Sequence, residues 1–174
     1  DRCDLRCVYC MKEKMDFLPK NQILSLEEIE RISDNFIYLG VKKIRLTGGE
    51  PLVRKNIIDL IGKLNLKKNK TSLEEITLTT NGSLLKNYAK DLKKNGIERL
   101  NVSLDTIDPK KYNKITRFGD INKVLSGIEE ALKNNIKVKI NTVVIKQFNE
   151  DEIERLIEWT NALKIDLTFI EVMP

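Results

Sequence analysis

Apolar positions along the chain switch repeatedly between helical spacing and short β-branched runs. Ser25 with Glu28 three residues on has the pattern of a capping box, and Leu26, Ile29, Ile32, Phe36 and Leu39 then fall on one helical face until Gly40. The run Lys43–Thr47 reads as a short strand. A second helix is predicted near Lys55–Leu66, a strand over Glu75–Thr80, and a third helix carrying Leu85, Tyr88, Ala89 and Leu92 up to Gly96. The strand Arg99–Leu104 follows.

The alternation continues to the end. Asp108 and Pro109 open a short helix, and a longer one bears Val124, Leu125, Ile128 and Leu132. Lys137–Ile145 is the most β-branched stretch. Asn149 with Glu152 is expected to cap a further helix bearing Ile153, Leu156, Ile157 and Leu163, before a last strand over Asp166–Val172. Regular strand–helix alternation predicts an α/β fold with a parallel sheet and right-handed crossovers, either open or closing into a barrel.

On such a sheet functional residues collect at the carboxyl edge. Polar or glycine-rich signals stand at the ends of four predicted strands: Thr47-Gly48-Gly49-Glu50-Pro51, Thr79-Thr80-Asn81-Gly82, Asn101-Val102-Ser103-Leu104-Asp105, and Lys139 with Asn141. The glycine pair lets backbone approach a ligand, and Glu50 could accept hydrogen bonds from an ammonium group. Alternation points Asn101, Ser103 and Asp105 to one side and Val102 and Leu104 to the other. In an open sheet that polar side is solvated; in a closed barrel it lines the interior. A buried Lys139 would require an anion or carboxylate partner.

Composition narrows the class. With 174 residues, 41% hydrophobic and 33% charged, the chain suits one globular domain, residues 1–174. No apolar run approaches the roughly 20 residues of a membrane span, and the charged start DRCDLRC is not expected to act as a signal peptide. A cytoplasmic location is expected, with neither membrane nor nucleic acid as a partner. The net charge of +5 is modest, and its one lysine run, KLNLKKNK from Lys63 to Lys70, reads as a solvated helix end. A small anionic substrate needs only a few placed cations.

The chain's three cysteines, Cys3, Cys7 and Cys10, fall in the spacing C-x3-C-x2-C, and there is no histidine. Three thiolates within eight residues can hold three irons of a cubane cluster and leave the fourth iron open for chemistry. A closed zinc site would need Asp1 or Asp4 as fourth ligand, and a disulfide would strand the third cysteine.

CDLRCVYC, RLTGGEP, TTNG, NVSLD, KINTVVIK and FIEVMP, in this order, resemble the radical S-adenosylmethionine (SAM) superfamily, and within it the family of MoaA-type GTP 3′,8-cyclases of molybdenum-cofactor biosynthesis. FLPKNQILSLEEI and LDTIDPKKYNKITR extend the likeness along the chain. The resemblance implies a 4Fe–4S cluster on Cys3, Cys7 and Cys10, SAM contacts at Tyr9, Gly49, Ser103 and Met173, and GTP contacts at Arg45, Thr79 and Lys139. It implies an enzyme, a lyase in which one electron from the reduced cluster cleaves SAM and the resulting radical starts rearrangement of GTP. An electron-donor protein is then an expected partner, and a homodimer is compatible. Implied too is a partial parallel (β/α)6 barrel, the radical SAM core, with its first strand and its C-terminal region outside this chain, a second 4Fe–4S cluster belonging to that region. Alternatives are another radical SAM enzyme, peptide-modifying or cofactor-maturing, and a non-enzymatic iron–sulfur or metal-binding module. The chain departs from the family pattern at Asp4, where asparagine is common, at Lys12, where proline is frequent, at Gln147-Phe148, where a glycine is usual, and at Thr168, where an arginine is expected.

Overall fold

The computed structural model describes residues 2–172. Five parallel strands, β1 (Lys43–Leu46), β2 (Glu75–Thr80), β3 (Arg99–Ser103), β4 (Lys137–Val144) and β5 (Asp166–Glu171), lie side by side in chain order. The helices are α1 (Leu26–Tyr38), α2 (Ile57–Asn65), α3 (Leu85–Lys94), α4 (Pro109–Thr116), α5 (Ile121–Lys133) and α6 (Ile153–Ala162). Among the described residues the sheet is open, with β1 and β5 as its edge strands rather than paired into a closed barrel. No helix among them is long and apolar enough to cross a membrane.

Register separates the two faces of the sheet. Leu78 pairs with Leu100, which pairs with Val138, while Val102 pairs with Ile140. These side chains pack under α2, α3 and α5 with Leu60, Ile61, Leu64, Leu92, Val124 and Ile128 in one core. Each fully buried leucine or isoleucine contributes about 1.5–3 kcal/mol by leaving water. The opposite face carries Arg45 against Thr77, Thr79 against Asn101, Asn101 against Lys139, and Asn141 against Thr168.

The Ser25–Glu28 capping box forms in both directions: Glu28 N donates to Ser25 Oγ at 3.1 Å and Ser25 N to Glu28 Oε2 at 2.7 Å. The apolar stripe of α1 differs from expectation. Ser33 and Ile37 face inward, whereas Ile32, Phe36 and Leu39 are 40%, 53% and 75% exposed. Helix α2 begins at Ile57 rather than near Lys55, because Asn56 takes a left-handed conformation (φ 62°) after a 3-10 turn at Pro51–Val53. The lysine run is not simply solvated either. Lys63 and Lys67 both pair with Glu30 of α1, at 2.8 and 3.2 Å, and Lys67 also pairs with Asp34.

Asn149 does not cap α6. Its side chain is buried and turned elsewhere, accepting from Ile145 N at 2.7 Å and donating to the carbonyls of Asp105 (2.7 Å) and Val143 (2.9 Å). Helix α6 accordingly starts after a 3-10 turn, Glu150–Glu152.

Candidate active site

The cysteine segment crosses the carboxyl edge of the sheet and is tied there by residues from several loops. At its start, Glu50 N donates to Arg2 O at 2.7 Å. Asp4 accepts from Asn81 Nδ2 (2.8 Å) and Ser83 Oγ (2.5 Å), both in the β2–α3 loop. Leu5 is buried. Arg6 and Val8 donate their backbone N–H groups to Thr116 O and Ile115 O at the end of α4. The Arg6 guanidinium bonds to the carbonyls of Cys3 and Leu5, each at 2.8 Å, and lies 5.0 Å from the Phe17 ring centroid. Arg117 closes the far side, donating to Arg6 O at 2.9 Å and Met11 O at 3.0 Å. Between them, Cys10 N and Met11 N both donate to Cys7 O, forming a tight turn.

Tyr9 sits inside that turn. The residue is 42% exposed, yet its hydroxyl donates to Asp105 Oδ2 at 2.7 Å, just beyond the end of β3. Asp105 is buried and its other oxygen accepts from Val143 N at 2.8 Å. Burial raises the Asp105 carboxyl above its ordinary range against the pull of these two donors. Burial and the Asp105 charge also raise the Tyr9 hydroxyl.

The remaining predicted residues are distributed as follows. Gly49 and Ser103 are half-buried, just beyond β1 and at the end of β3. Thr79 and Lys139 flank Asn101 across adjacent strands, and Arg45 shares their face two strands away from Asn101. Lys139 is only half-buried, so it does not need the partner that full burial would demand, and neither it nor Arg45 makes an ion pair among the described residues. Asn101 between them is 4% exposed, with its Oδ1 unpartnered. Met173 lies outside the described residues, as does Asp1. A cavity of about 720 Å³ runs along the open edge of β1, touching Arg45, Gly48, Gly49 and Arg2. Gly48, at φ 152°, has open space where a side chain would stand, so its backbone is accessible.

Glu50, which could accept from an ammonium group, is 2% exposed and already receives three donors from the protein. Its Oε1 accepts from Leu52 N (2.9 Å) and Thr80 Oγ1 (2.9 Å), and its Oε2 from Asn81 N (2.7 Å). The carboxylate therefore joins the loops after β1 and β2. Desolvation raises its pKa despite those three donors.

Residues 1–160 match the model of the Radical SAM superfamily. The chain belongs to the radical SAM superfamily. It is 55% identical over 174 residues to proteins named GTP 3′,8-cyclase from Bradyrhizobium diazoefficiens and Nitrobacter winogradskyi, with 100% of the chain and 51% of each relative aligned. The chain thus spans about half the length of the curated relatives it matches. The fold is similar to that of Streptococcus suis SuiB bound to S-adenosylmethionine, at a TM-score of 0.78 and 24% identity over 99% of this chain and 39% of that one.

The donor set of the radical SAM chain fits an iron–sulfur cluster. All three cysteines are free, with Cys3 and Cys7 half-buried and Cys10 exposed. Among the described residues no group of three or more His, Cys, Asp or Glu side chains is arranged to hold one metal ion. A cubane asks for something else, since each thiolate binds its own iron. Cys3 Sγ already receives Leu5 N at 3.4 Å and Asn81 Nδ2 at 3.7 Å, donors suited to a thiolate. Burial, with Asp105 and the neighbouring cysteines, pushes the Cys7 thiol up to about 12, so loading metal must displace protons.

For several residues of this site the sequence did not show the partner. Arg117, Asn81, Ser83 and Asn149 act 44 to 111 residues away from their partners, as the Asn149–Asp105 and Arg117–Arg6 bonds record. Arg117 holds its place at a positive φ of 64°, a backbone conformation costly for a residue with a side chain.

Proposed function

We propose that this chain is the catalytic core of a GTP 3′,8-cyclase, in which Cys3, Cys7 and Cys10 hold a 4Fe–4S cluster and the polar face of the sheet holds GTP. The carrying observation is the 55% identity to enzymes of that name along the whole chain. When bound, the cluster supplies the electron that cleaves SAM. Gly49 and Ser103, both at the carboxyl edge, hold SAM beside the cysteine turn, and Tyr9 contributes its ring face while its hydroxyl stays with Asp105. Met173 completes the SAM contacts in this reading.

Arg45 and Lys139 are cations without ion-pair partners among the described residues, and Thr79 and Asn101 add polar groups on the same face. That combination suits a triphosphate and a purine with many donors and acceptors. Thr168 stands on the face of β5 opposite Asn141, where the cyclase pattern has an arginine, so Arg45 and Lys139 carry more of the charge recognition here. The reading extends to a cytoplasmic enzyme supplied by an electron-donor protein, and to a homodimer.

The test uses the full-length protein, reconstituted without oxygen and reduced, then given SAM and GTP. The expected products are 5′-deoxyadenosine together with a cyclised guanine nucleotide. Deoxyadenosine formed equally with and without GTP, and no nucleotide product, would assign the chain a different substrate within the superfamily.

A further inference from the structure

We propose that Asp105 is a positioning residue for the cluster-binding turn, acting through the Tyr9 hydroxyl. The proposal rests on the reading of Cys3, Cys7 and Cys10 as cluster ligands. The two ends of the cysteine segment are held differently. Around Cys3, side chains do the holding: Asp4 takes Asn81 and Ser83, and Arg6 binds two carbonyls. Around Cys7 and Cys10 the turn is closed on itself by backbone bonds, Val8 N donates to Ile115 O, and the Arg117 guanidinium binds the carbonyls of Arg6 and Met11 on either side of it. Tyr9 is the residue within the turn whose side chain reaches the sheet.

What it reaches is a fixed post. Asp105 has no ion-pair partner among the described residues, so its buried carboxylate depends on hydrogen-bond donors. Val143 N supplies one and Tyr9 the other. Asn149 then locks the post from behind, bonding the carbonyls of both Asp105 and Val143. A hydroxyl-to-carboxylate bond to so rigid an acceptor is among the stronger hydrogen bonds available. It transmits the position of two strand ends to the turn that aims Cys7 and Cys10, the kind of outer support that ligands of a metal centre require.

The experiment compares the reconstituted full-length protein with Tyr9→Phe, Asp105→Asn, Asp105→Ala and the double variant Tyr9→Phe/Asp105→Ala. The readout is the rate at which a ferrous chelator strips the cluster. Tyr9→Phe and Asp105→Ala should each speed loss about tenfold, the scale of one charge-assisted hydrogen bond, and the double variant no further than either alone. Asp105→Asn should lose its cluster slowly while Tyr9 is present, because an amide can donate to the tyrosine oxygen. Cluster loss at the wild-type rate from Tyr9→Phe, or multiplying effects in the double variant, would overturn the proposal. Should Asp105→Ala not fold, Tyr9→Phe and Asp105→Asn still decide it. If the wild-type protein takes up no cluster, the parent reading fails on its own. Hydrogen exchange at the Cys10 and Met11 amides of the metal-free protein then tests the clamp separately: faster exchange in Tyr9→Phe supports it and unchanged exchange refutes it.

Discussion

Leu100 and Asn101 are neighbours on β3, both almost fully buried, and they do opposite work. Leu100 is surrounded by the chain's own helices and belongs to a core that is complete without any ligand. Asn101, one residue on, faces the polar side with its Oδ1 unpartnered, between Thr79 and Lys139. The side under the helices satisfies itself and makes the fold. The other leaves cations and a carbonyl oxygen without partners, and so is arranged to be completed by something else. A sheet buried on both faces by its own chain would have no room for a substrate.

Three changes would break or sharpen that contrast. The largest effect belongs to the helix side, where Leu100→Ala should destabilise the full-length protein by about 2–5 kcal/mol in urea unfolding, since it removes side-chain volume from a closed core. Loss of under about 1 kcal/mol would mean the core relaxes around the gap and the two faces are less distinct than they look. On the polar side, Lys139→Ala should leave stability within about 0.5 kcal/mol while weakening GTP binding by about 1.5–3 kcal/mol, as measured by calorimetry. Equal GTP affinity in that variant would remove Lys139 from the substrate site.

The smallest effect lies at the amino end of the polar side. Glu75 pairs with Lys43 at 2.7 Å and with Arg99 at 3.0 Å, and these cations hold its carboxyl below its ordinary 4.5. A carboxyl lowered in the folded state stabilises above its unfolded pKa and loses that contribution as pH falls from about 4.5 through the folded value. Because all three side chains are about a third exposed, the effect should stay below about 1 kcal/mol. Glu75→Gln should therefore flatten the acid limb of the stability profile without altering stability relative to wild type by more than that at pH 7. An unchanged acid limb would show that the pair is fully screened.

Local rules carried most of the architecture. The capping box at Ser25 and Glu28, the strand Glu75–Thr80 and the Asp108–Pro109 helix start appear where the sequence puts them, because each is decided within a few residues. Local rules failed where a polar side chain had a distant partner. Asn149 looks like a helix cap until β3 is brought beside it, and nothing local to Glu50 announces the bonds it takes from Thr80 and Asn81 of the next strand. Phe36 and Leu39 failed for another reason: periodicity says that a face is apolar, not that anything described covers it. In the site, the cysteine spacing announced itself, whereas the residues that hold the loop did not.

The anchors of the cysteine segment also set an order of events during synthesis. Cys3, Cys7 and Cys10 leave the ribosome ahead of their anchors: the carbonyls of Ile115 and Thr116 and the side chains of Asp105 and Arg117 follow about a hundred residues later. At roughly 5–20 residues per second, the nascent thiols spend on the order of 5–20 s with nothing to dock against. A cell making this protein must keep three adjacent thiols reduced through that interval, and delivery of iron to a correctly shaped site has to wait until β3 and α4 have emerged.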